Sequence, residues 1–82
     1  PLTQNQFNAL VAICYNIGVP GFKSSSLALR VNSSILRNDR ITIAACFMMW
    51  NKITVYRNGV KQKEVSPGLV NRRKKEIELY FS

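Results

Sequence analysis

The sequence has no histidine and only four acidic residues, one of them an aspartate. The first absence removes the side chain most used as a general base near neutral pH and as a metal ligand. The second leaves few carboxylates for acid–base work. Two cysteines are present, Cys14 and Cys46, without a CxxC pairing. A structural zinc site is thereby excluded, and no metal or other cofactor is expected. Two cysteines permit one disulfide, but both lie on apolar helical stripes and read as buried free thiols. The longest apolar run, Ile43 to Trp50, falls far short of the ~18 residues of a membrane span. The sequence opens at Pro1 without an initiator methionine, as a fragment or a processed product would, and without a basic-then-apolar secretory signal.

What is abundant is positive charge. Twelve Lys and Arg against four Asp and Glu give a net charge of +8. Such a balance keeps a small protein soluble, and it also suits a polyanionic partner: nucleic acid, anionic lipid or an anionic cell wall. The aromatics are not interleaved with the basic residues as a base-stacking platform requires, and most fall at expected core positions. Both points argue against nucleic acid. Eighty-two residues make one small domain or a piece of a larger one, with a net stability of about 3–5 kcal/mol.

The best-delimited stretch is Leu2 to Gly18. Thr3 and Gln6 fit a capping box, and Leu2 and Phe7 fall at the positions of a hydrophobic staple. Phe7, Leu10, Val11, Cys14 and Ile17 have the spacing of one buried helical stripe, expected to hold a helix formed by Ile41 to Trp50. Gly18 and Pro20 end the helix, and Val19-Pro20-Gly21 reads as a turn. A second helix is expected from about Ser25 to Leu36, with Leu27, Val31 and Ile35 inward. Asn38 or Asp39 then caps the third helix, which is apolar on nearly every face and so expected to be buried all round. Arg57-Asn58-Gly59 between β-formers predicts a hairpin with a type I′ turn, its flanks alternating as in a surface ribbon that leans on the helices. Ser66-Pro67 begins a last helix, as N-cap and first helical residue. Its apolar stripe of Leu69, Val70, Ile77, Tyr80 and Phe81 is crossed by Arg73. The basic run Arg72 to Lys75 reads as a solvated face paired with Glu76 and Glu78, or as a contact with an anionic surface. No carboxylate lies in an apolar context that would raise its pKa into a general-acid range.

Several segments, in order, resemble one family. LTQNQFNALVAICYNIG resembles the helix that opens the C-terminal lobe of phage-type lysozymes, the endolysins of glycoside hydrolase family twenty-four. GFKSSSLALRVN resembles the loop and Leu-rich helix that follow, AACFMMWN the buried helix ending in Trp, and SPGLVNRRKKEIELYF the closing Gly-Leu-Val and paired-Arg segment. Residues 52–65 depart from it, being longer than the usual Gly-rich connection. The resemblance implies a mainly α fold: a lysozyme-like C-terminal helical lobe of about four helices with a β-hairpin insertion near 53–65, spanning 1–82 as a single domain. It implies part of a bacteriolytic muramidase that cleaves between N-acetylmuramic acid and N-acetylglucosamine in peptidoglycan. It places the catalytic Glu, Asp and Thr in an N-terminal lobe that precedes these residues, so no catalytic residue is assigned here. That order cannot be assembled within the chain, because its one aspartate, Asp39, comes before every glutamate.

Carried over residue by residue, Tyr15 and Asn16 match the cleft-facing end of the first helix. Phe22, Lys23, Ser24 and Ser25 match the loop lining the same groove. An aromatic face for a sugar ring, with amide and hydroxyl groups for its polar substituents, suits saccharide binding. Equally, Phe22 reads as core and the serines as caps. Trp50 matches a core tryptophan. The implied partners are peptidoglycan glycan strands and the missing catalytic lobe, with an anionic wall surface as a third, and neither nucleic acid nor a membrane span. The implied location is the bacterial host cytoplasm, with release or export to the periplasm and wall. The alternative is a non-catalytic, truncated lysozyme-like module that binds peptidoglycan or a protein partner.

Overall fold

Thr3 starts the first helix through its own side chain. Its Oγ1 accepts the Gln6 backbone N–H at 3.0 Å, and its backbone N–H donates to Gln6 Oε1 at 3.0 Å. Two orphan donors of the first turn are thus satisfied reciprocally. The structure, a computed structural model, describes residues 2–82. The first helix, α1, spans Gln4–Ile17 and stops at Gly18, whose φ of 89° suits a residue without a Cβ. Pro20 does not open a turn, as expected, but sits in the first turn of a short helix, α2 (Val19–Lys23), where its missing N–H goes unneeded.

The buried face of α1 is rotated from the expected stripe. Gln6, Ala9, Leu10 and Ile13 are buried, whereas Phe7 is 54% exposed and Val11 is also exposed. Two interactions set this rotation. The Gln6 side chain is drawn inward by the cap and donates to Asn38 Oδ1 at 2.9 Å. The principal packing partner of α1 is the last helix, not the Ile41–Trp50 segment. Small Ala9, wholly buried, suits a close helix approach.

The next helix, α3, is only Ser26–Val31, capped by Ser25. Leu27 and Val31 are buried as expected, but Ile35 is 85% exposed. Ser33 Oγ accepts the Leu36 N–H at 3.2 Å, a local turn that competes with helix continuation. Asp39 caps α4 (Arg40–Met48) by accepting from the Thr42 N–H and hydroxyl. This helix is not buried all round: Ile43, Cys46 and Phe47 are inside, while Ile41 and Met49 face solvent. Both cysteines are free thiols, Cys46 buried and Cys14 half-buried. The core joins Ile13, Leu27, Ile43, Phe47, Ile77 and Tyr80, with Phe47 and Tyr80 edge to face at 5.8 Å. Most aromatics join or flank this core, as expected, with Phe22, Trp50 and Phe81 packed against it; Phe7, expected inside, is exposed, as are Tyr15 and Tyr56.

Strands β1 (Lys52–Arg57) and β2 (Val60–Val65) form an antiparallel ribbon. Asn58 and Gly59 take φ of 53° and 78°, the two positive values a type I′ turn needs. The register pairs Thr54 with Lys63 and Tyr56 with Lys61. The ribbon contacts the helices sparsely and contributes to an elongated shape of 47 × 22 × 21 Å. The last helix, α5, spans Pro67–Tyr80, with Ser66 as its cap. No helix among the described residues is long and apolar enough to cross a membrane.

Gly59 has open space around its Cβ position but a φ of +78°. Gly59→Ala should therefore weaken the ribbon by about 1 kcal/mol through backbone strain alone. Cross-strand NOEs between Tyr56 and Lys61 should fade while helical circular dichroism stays unchanged. Undiminished NOEs would contradict this account of the turn.

Candidate functional site

Arg73 lies in the apolar stripe of α5 and is 0% exposed. A guanidinium stays charged in the interior, so the fold must surround it with acceptors. Nη2 donates to Glu76 Oε2 at 3.1 Å and to Asn16 Oδ1 on α1 at 3.0 Å. Nη1 reaches the Trp50 carbonyl at 3.5 Å. Nε lies 2.6 Å from Glu76 Oε1, but it is not aligned as a hydrogen bond, so charge attraction holds that contact.

Two expectations are corrected here. Glu76 is not a solvated partner of the lysines but is buried against Arg73. Burial pushes its pKa above the ordinary carboxylate value, opposed by the charges of Arg73 and Arg72. Burial likewise lowers Arg73, opposed by Glu76. A carboxylate in a buried setting therefore does exist, contrary to the sequence reading, and burial raises its pKa. Both its oxygens are engaged by Arg73, which gives it a structural part. The basic run is also divided: Arg72, Lys74 and Lys75 are exposed while Arg73 turns inward. Of the other carboxylates, Asp39 caps α4 and Glu64 pairs with Arg57 at 2.9 Å.

The buried cluster orients Asn16. Because its Oδ1 accepts from Arg73, its Nδ2 is the free end, with no partner among the described residues. Asn16 lines a concavity of about 540 Å³ with Ile17, Trp50, Lys52, Ile53 and Lys63 among its walls. This hollow combines an indole, an oriented amide and two ammonium groups. It can receive a flat or ring-shaped polar ligand bearing acceptors.

The other five residues singled out from the sequence are distributed around the lobe. Tyr15 is 93% exposed. It borders both a basic groove with Arg72 and Lys75 and an apolar groove of about 460 Å³ with Phe7, Val11, Val19 and Phe22. Lys23, Ser24 and Ser25 line a smaller hollow of about 330 Å³ with Leu29 and Asn32. Ser25 Oγ donates to the Phe22 carbonyl at 2.6 Å and accepts the Ala28 N–H at 3.1 Å, so its hydroxyl serves as a cap. Ser24 Oγ donates to the Pro20 carbonyl at 3.1 Å, leaving lone pairs free. Asn16 and the Lys23–Ser25 loop thus face separate hollows.

The sequence reading missed Lys52 and Lys63 beside Asn16, and the Arg73–Glu76 pair. Signals for both existed. The two-residue turn fixes the register that sets Lys63 opposite Thr54, and Glu76 follows Arg73 by three positions on a helix.

Comparison with known proteins gives a consistent result. The phage lysozyme family model matches residues 1–76. The chain is 38% identical over 82 residues to an endolysin of Acyrthosiphon pisum secondary endosymbiont phage 1, covering 100% of this chain and 51% of that protein. An endolysin from Escherichia coli O157:H7 phage FAHEc1 superposes with a TM-score of 0.82 at 38% identity, over 100% of this chain and 47% of the other. The muramidase domain of SpmX from Asticaccaulis excentricus superposes with a TM-score of 0.78 at 36% identity, over 100% and 50%. The chain thus spans about half the length of these relatives.

Two predictions follow from the buried pair. Arg73→Ala or Glu76→Ala should each cost about 3–5 kcal/mol by stranding a buried charge. Either variant should therefore be largely unfolded by circular dichroism. Arg73→Met with Glu76→Leu should cost far less, and a double variant as unstable as the sum of the singles would refute this. The second concerns pH. The folded state holds the Glu76 proton more tightly than the unfolded chain, so this group's contribution to stability falls as pH rises from the ordinary value of 4.5 through the raised one. A carbon-13 NMR titration should place the Glu76 midpoint above 4.5; a midpoint below it would mean that Arg73 outweighs burial.

Proposed function

Since the chain belongs to the phage lysozyme family, we propose that it is the C-terminal lobe of a peptidoglycan-cleaving muramidase and forms one wall of its saccharide cleft. The observation that carries this reading is the pair of surfaces left open beside α1. The apolar groove exposes Phe7, Val11, Tyr15 and Val19 together. A face of this kind marks a contact with another body, and a neighbouring catalytic lobe fits it. On another side of α1, at its C-terminal end, lies the concavity holding Asn16 and Trp50.

Glycoside hydrolysis needs an acid to protonate the leaving oxygen and usually a second carboxylate to stabilise or deliver the nucleophile. In this reading those groups, Glu and Asp with Thr, belong to the other lobe. This lobe supplies position. Asn16 Nδ2 donates to a sugar acyl carbonyl or hydroxyl, and its orientation is set beforehand by Arg73. Lys23, Ser24 and Ser25 offer a second saccharide contact from their own hollow, Ser25 through the loop shape that its cap maintains, while Tyr15 and Phe22 line the apolar groove that faces the neighbouring lobe. Holding the glycan in register with the distant acid lowers the entropic part of the barrier. The site of action is the bacterial wall, reached after release from the host cytoplasm, and the positive charge favours an anionic wall surface.

A second reading draws on the same apolar groove: a non-catalytic lysozyme-like module in which a different protein covers that face. Titration of the isotope-labelled chain with chitotetraose tests the first. Amide signals of Asn16, Ile17 and Trp50 should move while the isolated chain hydrolyses no cell wall. Joined to a segment carrying the family's Glu, Asp and Thr, it should become lytic, and Asn16→Ala should then reduce kcat/KM by about tenfold, the worth of one lost substrate hydrogen bond. Hydrolysis by the isolated chain, or no signal change at any sugar concentration, would sink the cleft-wall reading.

A further inference from the structure

The basic run of α5 takes no part in the proposed cleft wall, and only some of it meets a groove. α1 and α5 pack side by side. Between them lies a groove of about 770 Å³ that Arg72 and Lys75 line but Lys74 does not. On α5 it follows Gly68, Asn71, Arg72, Lys75 and Leu79. Such positions, three or four apart, form one stripe along a helix, here about 16 Å long. Val11 and Ala12 of α1 supply apolar wall opposite.

The free charge of the groove is of one sign. Glu76 also lines it, but Arg73 already engages that carboxylate. α1 contributes no charged side chain, and Glu78 lies off the stripe. Arg72 and Lys75 are exposed, and among the described residues no carboxylate pairs with either. Two cations one helical turn apart repel each other unless an anion lies against them.

The shape of the groove indicates which anion. A flat bilayer presents its headgroups to protruding side chains, whereas a groove admits a strand. A strand bearing bases calls for stacking faces between its charges. Tyr15, on the rim shared with the apolar groove, is the one aromatic among the described walls. A carboxylate polymer carries its charge on side branches. A phosphodiester polymer carries it in the backbone, so successive charges follow the groove, and each phosphate offers two oxygens to the Arg72 fork. Asn71 adds a neutral amide beside them. At Gly68 no side chain closes the stripe, and a Cβ there would meet nothing nearer than Ser66 Oγ at 3.8 Å.

We propose that the groove between α1 and α5 is a second binding site, separate from the saccharide hollow, in which Arg72 and Lys75 hold a phosphodiester-linked anionic polymer of the cell wall. This rests on the wall being the site of action, as read above. It gives the lobe a grip on the wall that does not compete with the glycan at Asn16.

The test titrates the isotope-labelled 82-residue chain with a short poly(glycerol phosphate) at low salt. Amide signals of Asn71, Arg72 and Lys75 should move, and those of Trp50 and Lys63 should not. The Glu76 carboxyl midpoint should rise on binding, because a nearby anion disfavours the charged form. Arg72→Gln/Lys75→Gln should weaken the affinity about tenfold, the worth of two exposed ion pairs, and flatten its salt dependence. Lys74→Gln removes the same charge from the same helix outside the groove and should change affinity less than about twofold. Gly68→Glu should also weaken binding, by placing an acid on the stripe where there is room for it. A loss from Lys74→Gln equal to that from Lys75→Gln would overturn the site and leave only diffuse charge. Polyglutamate that binds the same amides as tightly would overturn the assignment to backbone phosphates. Phosphatidylglycerol vesicles that displace the polymer, or a single-stranded oligonucleotide that binds more tightly, would overturn it in favour of a membrane or of nucleic acid. If chitotetraose moves Asn16 while the polymer moves nothing, this inference fails and the cleft wall stands. The reverse result would support the groove and remove the saccharide reading.

Discussion

The buried guanidinium of Arg73 is the constraint on which the rest of this lobe depends. A charge without solvent exposure costs several kcal/mol unless its donors are met, and here they are met from several places in the chain. Glu76 comes from the same helix, Asn16 from the end of α1, and the Trp50 carbonyl from the segment between α4 and the ribbon. These contacts hold α1 against α5 at the point where the ribbon leaves the body. An apolar side chain at position 73 would fill the volume without dictating which amide or carbonyl approaches it. A guanidinium dictates both, and it thereby orients Asn16, leaving the amide a donor at its free end.

Local signals in the sequence were read correctly where the physics is local. The Thr3–Gln6 box, the Ser25, Asp39 and Ser66 caps and the Asn58-Gly59 turn depend only on residues a few positions apart. The rotation of α1 was not legible. Phe7, Leu10, Val11, Cys14 and Ile17 form a genuine apolar stripe, but Gln6 competes for the interior by satisfying the cap and Asn38. Periodicity alone cannot show that a polar residue will be buried once its hydrogen bonds are met. The displaced stripe then becomes an exposed apolar groove.

The candidate site was legible in part for the same reason. Asn16 was reached through resemblance, but its orientation depends on Arg73, far along the chain, and no local pattern carries that. Glu76 was misread because its sequence neighbours Lys74, Lys75 and Glu78 are all solvated. On a helix the relevant neighbour is three or four positions away, and Arg73 sits there inside the apolar stripe.

The ribbon shows how a local rule acquires a consequence at a distance. A two-residue turn at Asn58-Gly59 leaves no freedom of register, and a slip of one residue would move every lysine to the opposite face. Three lysines share a face, with Glu64 confined to the other, because the turn sets where β2 begins. Arg57 and Glu64 then hold that arrangement with a two-pronged contact at 2.9 and 3.1 Å. The register of the ribbon and the rigidity of its turn together make its charge directional.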